Sequence, residues 1–91
     1  MPFKSFTDYL LLEKNYSVLT VNAYQNDLED FSEFIKNEYE TNSINLINYP
    51  QIRSWIVSLV EKGISNRSIN RKISALNTYY KFLLKIGTIA Q

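Results

Sequence analysis

The sequence predicts an all-α fold, four helices joined by short turns, and three observations point to it. Apolar side chains recur at helical spacing along most of the chain, strand-like alternation is absent, and the two glycines and two prolines fall at segment boundaries. With 91 residues, 45% of them apolar, there is material for one hydrophobic core and none for a second. A single domain spanning residues 1–91 is expected.

The first helix is expected to start at Ser5, with Asp8 three residues on as its capping-box partner, and to present Phe6, Tyr9 and Leu10 inward. It should stop near Lys14-Asn15, because asparagine tolerates the left-handed conformation that closes a helix. Ser17 caps the second helix, in which Val21, Tyr24, Leu28, Phe31 and Ile35 recur at spacings of 3, 4, 3 and 4. That helix fades between Glu38 and Thr41. Asn42 and Ser43 mark a loop, and Ile44, Leu46 and Ile47 are expected to cover the end of the bundle. Pro50 lies in the first turn of the third helix, where a missing N–H costs nothing. Ile52, Trp55, Ile56, Leu59 and Val60 form its packing face, and Gly63 supplies the left-handed residue after it. The fourth helix is capped by Ser65 or Asn66, runs to about Ile86, and is closed by Gly87.

Composition removes whole classes of chemistry. Without cysteine there is neither a disulfide nor a thiolate zinc site, and without histidine there is no Ser-His or Cys-His nucleophile. No metal or cofactor site is expected, and none of the seven tyrosines is assigned a catalytic role. The N-terminus lacks the apolar core of a signal peptide, and no apolar run approaches the ~18 residues of a membrane span. A soluble, cytoplasmic, membrane-free domain is the expectation.

Net charge is only +1, but it is unevenly placed. Residues 1–45 carry three basic against eight acidic side chains, a balance of −5, whereas residues 46–91 carry seven against one, a balance of +6. Such asymmetry suggests a polyanion on one face, or else a bipolar surface that only maintains solubility.

The fourth helix concentrates the basic charge. At about 100° per residue, Arg67, Arg71, Ser74, Thr78, Lys81 and Lys85 fall within about 40° of one another's mean direction, while Ile69, Ile73, Leu76, Tyr80 and Leu83 gather near the opposite side. Exposed helices usually mix acids with bases at i,i+4, and this face has no acid of its own. Arginine and lysine suit phosphates, serine and threonine hydroxyls reach phosphates or base edges, and a helix fits the major groove. The second helix is divided. Its first turns offer Thr20, Asn22, Ala23 and Asn26, whereas Glu29, Asp30 and Glu33 farther along would repel phosphate. The aromatic residues could suggest base stacking on single strands, but Tyr9, Tyr24, Tyr80 and Trp55 sit at core periodicity, leaving Tyr49 and Tyr79 open.

Laid out this way, the chain resembles the N-terminal core-binding domain of tyrosine recombinases of the Xer and phage-integrase type. Four stretches carry the likeness: Phe6 to Leu10 with Glu13 to Ser17, the run Ser17…Thr20…Ala23-Tyr24…Asp27-Leu28…Phe31, Ile52 to Ile56, and Gly63 to Leu76 with Tyr79 to Leu83. The last is the most specific. The resemblance implies a SAM-like fold, a compact orthogonal bundle of four main helices. It also implies one half of a clamp that grips a duplex recombination half-site through the second and fourth helices. Carried over by position, the DNA-facing residues are Thr20, Asn22, Ala23, Asn26, Lys62, Arg67, Asn70, Arg71 and Ser74. The first helix, with Lys4, Asp8 or Leu11, would meet other recombinase protomers in a tetrameric synapse, while the isolated domain would be monomeric.

The family's strand-cleaving tyrosine, arginines, lysine and histidine belong to a C-terminal catalytic domain, and Gln91 stands about where a linker to it should begin. The resemblance serves chromosome-dimer resolution, phage or transposon integration and DNA inversion alike. This sequence departs from the family's pattern at Gln25, Asn26, Glu29 and Asp30, where arginines are frequent, so contact from the later turns of the second helix is not expected. A helical protein-interaction module, using its acidic half against a basic partner, is the competing expectation. A free-standing small enzyme is a remote third.

Overall fold

Two serine caps set the starts of the long helices. The computed structural model describes residues 3–39 and 49–87. They form α1 (Lys4–Leu12), α2 (Val18–Tyr39), α3 (Tyr49–Glu61) and α4 (Asn66–Lys85), with no strand among the described residues. The expected loop at Asn42-Ser43 and the covering role of Ile44, Leu46 and Ile47 lie outside the described residues. Ser17 Oγ accepts the Thr20 backbone N–H at 3.1 Å, and Ser65 Oγ accepts that of Ser68 at 3.2 Å. Each such cap stabilises its helix by about 1 kcal/mol. Asn15, with φ 56°, turns the chain between α1 and α2, and Gly63, with φ 79°, turns it between α3 and α4.

The first helix starts differently from the expectation. It begins at Lys4 with Phe3 as the residue before it, and no side chain caps it. Ser5 lies inside the first turn, and Asp8 bonds the Lys4 ammonium at 2.9 Å instead of reaching back to a backbone N–H. Packing replaces the cap: Phe3 is buried and meets Tyr79 edge-on, with ring centres 5.5 Å apart.

The core is built around α2, which packs against each of the other three helices. Val21, Leu28, Phe31 and Ile35 are buried as their spacing predicts, and Tyr24 is half-buried at their edge. Phe31 meets Trp55 of α3 with centroids 4.9 Å apart, and Phe6 of α1 meets Phe82 of α4 at 5.5 Å. On α3 only Trp55 and Leu59 are buried. Val60, expected inside, is 60% exposed, because it lies about 100° beyond Leu59 around the helix and turns outward.

The buried side of α4 is also rotated from the expected one. Ile69, Leu76 and Leu83 are inside, but Ile73 and Tyr80 are only half-buried, whereas Lys72, Ala75, Tyr79 and Phe82 are buried. The inward direction is turned by about 60° towards Arg71, on the same 100° step. Two demands cause the turn. Phe3 and Phe6 of α1 draw Tyr79 inward, and Asp27 of α2 draws Lys72. Tyr79 is thereby a core residue, while Tyr49 is exposed.

Burial raises the pKa of Tyr79 and Tyr80 above the ordinary value of 10.0, and Tyr80 is raised further by the neighbouring Tyr79. Desolvation raises Tyr24 too, reinforced by Tyr16 and Asp27 and opposed by Arg71. An acid whose folded pKa is raised contributes stability that is complete below its unfolded pKa and is lost as pH climbs through the folded one. Stability should therefore hold up to about pH 10 and then fall, by about 1.4 kcal/mol per pH unit for each tyrosine kept protonated by the fold. Urea midpoints measured across alkaline pH check this, and Tyr80→Phe should flatten the fall. A midpoint that does not change above pH 10 would contradict it.

Candidate nucleic-acid interface

A buried carboxylate organises the candidate surface. Asp27 of α2 is 1% exposed and accepts three charge-assisted bonds. Arg71 of α4 clasps it side-on, with Nε donating to Oδ2 and Nη2 to Oδ1, both at 2.9 Å. Lys72 Nζ donates to Oδ1 at 2.9 Å and to Oδ2 of Asp30 at 3.3 Å, and lies 6.0 Å from the centre of the Trp55 ring. Two cations thus face two carboxylates, and no buried side-chain polar atom among the described residues lacks a partner. The Asp27 hydrogen bond raises the Arg71 pKa above its ordinary value, against desolvation that lowers it, so the guanidinium is always charged.

Around this clasp the two helices form a seam. Ala23 and Thr20 lie one and two turns N-terminal to Asp27 on α2 and are half-buried. Asn26 is exposed beside them, in the same i,i+3 row as Ala23. Across the seam, Arg67, Asn70 and Ser74 are exposed within about one turn of Arg71 on α4. Arg71 itself straddles it, its side chain 45% exposed. Asn22 is exposed but farther round α2, and Lys62 stands apart at the end of α3. Lys62 lines a cleft of about 400 Å³ together with Asp30, Glu33, Glu38 and Lys72, so its surroundings are acidic.

The expectation of a basic stripe free of acids needs correction. The acids come from other helices. Arg71 and Lys72 meet Asp27, and Lys85 lies 3.5 Å from Glu13 while sitting 4.9 Å from the centre of the Tyr9 ring. Of the α4 cations, Arg67 and Lys81 are exposed and make no ion pair among the described residues. On α1, Lys4 and Asp8 pair with each other, and Leu11 is partly packed against the core.

Sequence reasoning missed Asp27 and Lys72 as a structural pair. A signal was present. Asp27 falls three residues after Tyr24 and four before Phe31, and Lys72 three after Ile69, so each sits on the packing side of its helix. Among the described residues there is no cluster of metal-ligating side chains and no helix long and apolar enough to cross a membrane.

Comparison with known proteins identifies the family. Residues 3–87 match the model of the phage integrase N-terminal SAM-like domain, and the chain belongs to that family. It is 41% identical over 85 residues to the tyrosine recombinase XerC of Oceanobacillus iheyensis, covering 93% of this chain and 28% of that protein. It is 40% identical over 88 residues to the XerC of Listeria monocytogenes serotype 4a, covering 97% and 29% respectively. The chain therefore spans less than a third of the length of these curated relatives. No solved structure matches it.

Breaking the clasp from its buried end should be the costlier change. Asp27→Ala leaves Lys72 buried without its main partner and should destabilise by about 3–5 kcal/mol, the usual cost of orphaning a buried charge. Lys72→Met leaves Asp27 clasped by Arg71 and should cost markedly less. Urea denaturation of the two variants checks the order, and equal losses would contradict it.

Proposed function

We propose that the chain binds duplex DNA as the N-terminal domain of a site-specific tyrosine recombinase, gripping a recombination half-site across the seam of α2 and α4. The observation that carries this reading is the surface beside the Asp27–Arg71 clasp. There Arg67, Asn70 and Ser74 of α4 and Asn26 of α2 are exposed, and Thr20 and Ala23 half-buried, on the two helices that the clasp joins. Cations and hydroxyls hold phosphates, while asparagine and small apolar groups suit base edges. Relatives that carry the name tyrosine recombinase at about 40% identity support it.

The roles divide along the helices. Arg67 and Lys81 supply phosphate attraction, and Asn70, Ser74, Thr20, Ala23 and Asn26 lie closest to the bases, with Asn22 and Lys62 at the margins. Contact ends where Glu29 and Glu33 begin, because these carboxylates repel the backbone. The chain is the binding half of a clamp. Strand cleavage belongs to a separate catalytic domain, and α1 meets neighbouring protomers when four assemble on two sites. Such a protein works in the cytoplasm on the cell's DNA.

Binding by the chain alone should be weak and should fall steeply with salt, because each phosphate contact releases counterions. Arg71→Ala should weaken it more than Lys85→Ala, since Arg71 stands in the N-terminal half of α4 at the contact with α2 and Lys85 is the last residue of that helix. Fluorescence-anisotropy titrations with labelled duplexes in low salt test both. Folded protein that binds no duplex would overturn the proposal and favour a protein-interaction module. Equal losses for the two variants would point to diffuse charge attraction alone.

A further inference from the structure

We propose that Asp27 is a positioning residue for DNA recognition. It holds the Arg71 guanidinium by one edge, so that the opposite edge is presented to the duplex as a rigid fork for a pair of acceptors. The inference rests on the DNA-binding reading above and specifies how one contact within it is made.

A guanidinium is planar and carries five N–H donors along two forked edges. Asp27 takes the inner edge, Nε and Nη2, with two bonds of equal length. Planarity then turns Nη1 and the second N–H of Nη2 away from the carboxylate. Asp27 is 1% exposed while the Arg71 side chain is 45% exposed, so the carboxylate is sealed within the fold and the arginine that it holds is open to solvent. Lys72 secures the arrangement from below by binding the same Oδ1, and its own ammonium is fixed by Asp30. The carboxylate cannot swing without breaking bonds to both helix neighbours.

A long flexible side chain ordinarily loses rotamer freedom when it binds, and fixing it in advance removes that cost from the binding step. The clasp also cancels most of Arg71's long-range charge. What remains is directional: two parallel N–H groups matched to guanine O6 and N7, or to two phosphate oxygens. Lysine at the same position would offer charge without the fork.

The test uses the whole 91-residue chain and a duplex that it selects from a random-sequence pool. Affinities are measured at several salt concentrations for the wild type, Asp27→Asn, Arg71→Ala and the double variant, all at a temperature where circular dichroism shows them folded. Asp27→Asn and Arg71→Ala should each weaken binding about tenfold, and the double variant should bind no more weakly than Arg71→Ala. A purely structural Asp27 would instead add its loss in the Arg71→Ala background, and that would overturn the proposal. If Asp27→Asn does not fold, Arg71→Lys decides: it should lose as much as Arg71→Ala, and wild-type affinity would overturn the fork. Replacing guanine by 7-deazaguanine distinguishes the acceptors. A loss seen with the wild type but not with Arg71→Ala assigns the guanine edge, and no loss assigns phosphate. A wild-type chain that selects and binds no duplex would overturn the DNA-binding reading itself, an outcome distinct from any failure confined to Asp27.

Discussion

The carboxylate of Asp27 is the constraint on which the rest of the structure depends. Burying one anion is unfavourable unless it is paired and hydrogen-bonded, and here both cations come from another helix more than 40 residues away. The clasp therefore fixes how α2 and α4 lie against each other more than it adds stability. Sliding α4 by one turn would leave Asp27 buried without a partner. The same requirement turns α4 about its axis, bringing Lys72 inward and carrying Arg71 to the seam. Aromatic packing of Phe3 and Phe6 on Tyr79 pulls the far end of α4 the same way.

That geometry changes the meaning of the charge asymmetry between the two halves of the chain. Three of the seven cations in the second half, Arg71, Lys72 and Lys85, meet Asp27, Asp30 and Glu13, all from the acidic half. The opposite charges thus tie α4 to α2 and to the end of α1 as well as keeping the surface hydrated. The exposed cations left on α4, Arg67 and Lys81, are fewer than the sequence suggests, and the exposed polar Asn70 and Ser74 share their helix. A surface of this kind relies on placement rather than on total charge, in keeping with a net charge of +1.

Much of the fold was legible in the sequence because its signals are local. Ser17 and Ser65 cap through their own backbone neighbourhood, Asn15 and Gly63 turn where left-handed residues are tolerated, and the α2 stripe follows one helical period. The misreadings arise where a distant partner decides. Ser5 does not cap because Phe3 anchors the entry to α1 on Tyr79, and Val60 turns out because Trp55 and Leu59 already fill the inward side of α3. The wheel placed Arg71 on an open face, since no periodicity reveals a carboxylate 44 residues back along the chain. For the candidate surface, residue types on α2 and α4 were readable, but the clasp between the two helices was not.

The central claim is that the DNA-facing surface is the seam organised by Asp27. Backbone amide chemical shifts, followed by NMR as duplex is added to isotopically labelled protein, test it most directly. The expected result is perturbation centred on residues 20–27 of α2 and 66–74 of α4, with the acidic later turns of α2 and the whole of α3 little changed. Perturbations centred on α3 or on residues 29–39, with the seam unmoved, would contradict it.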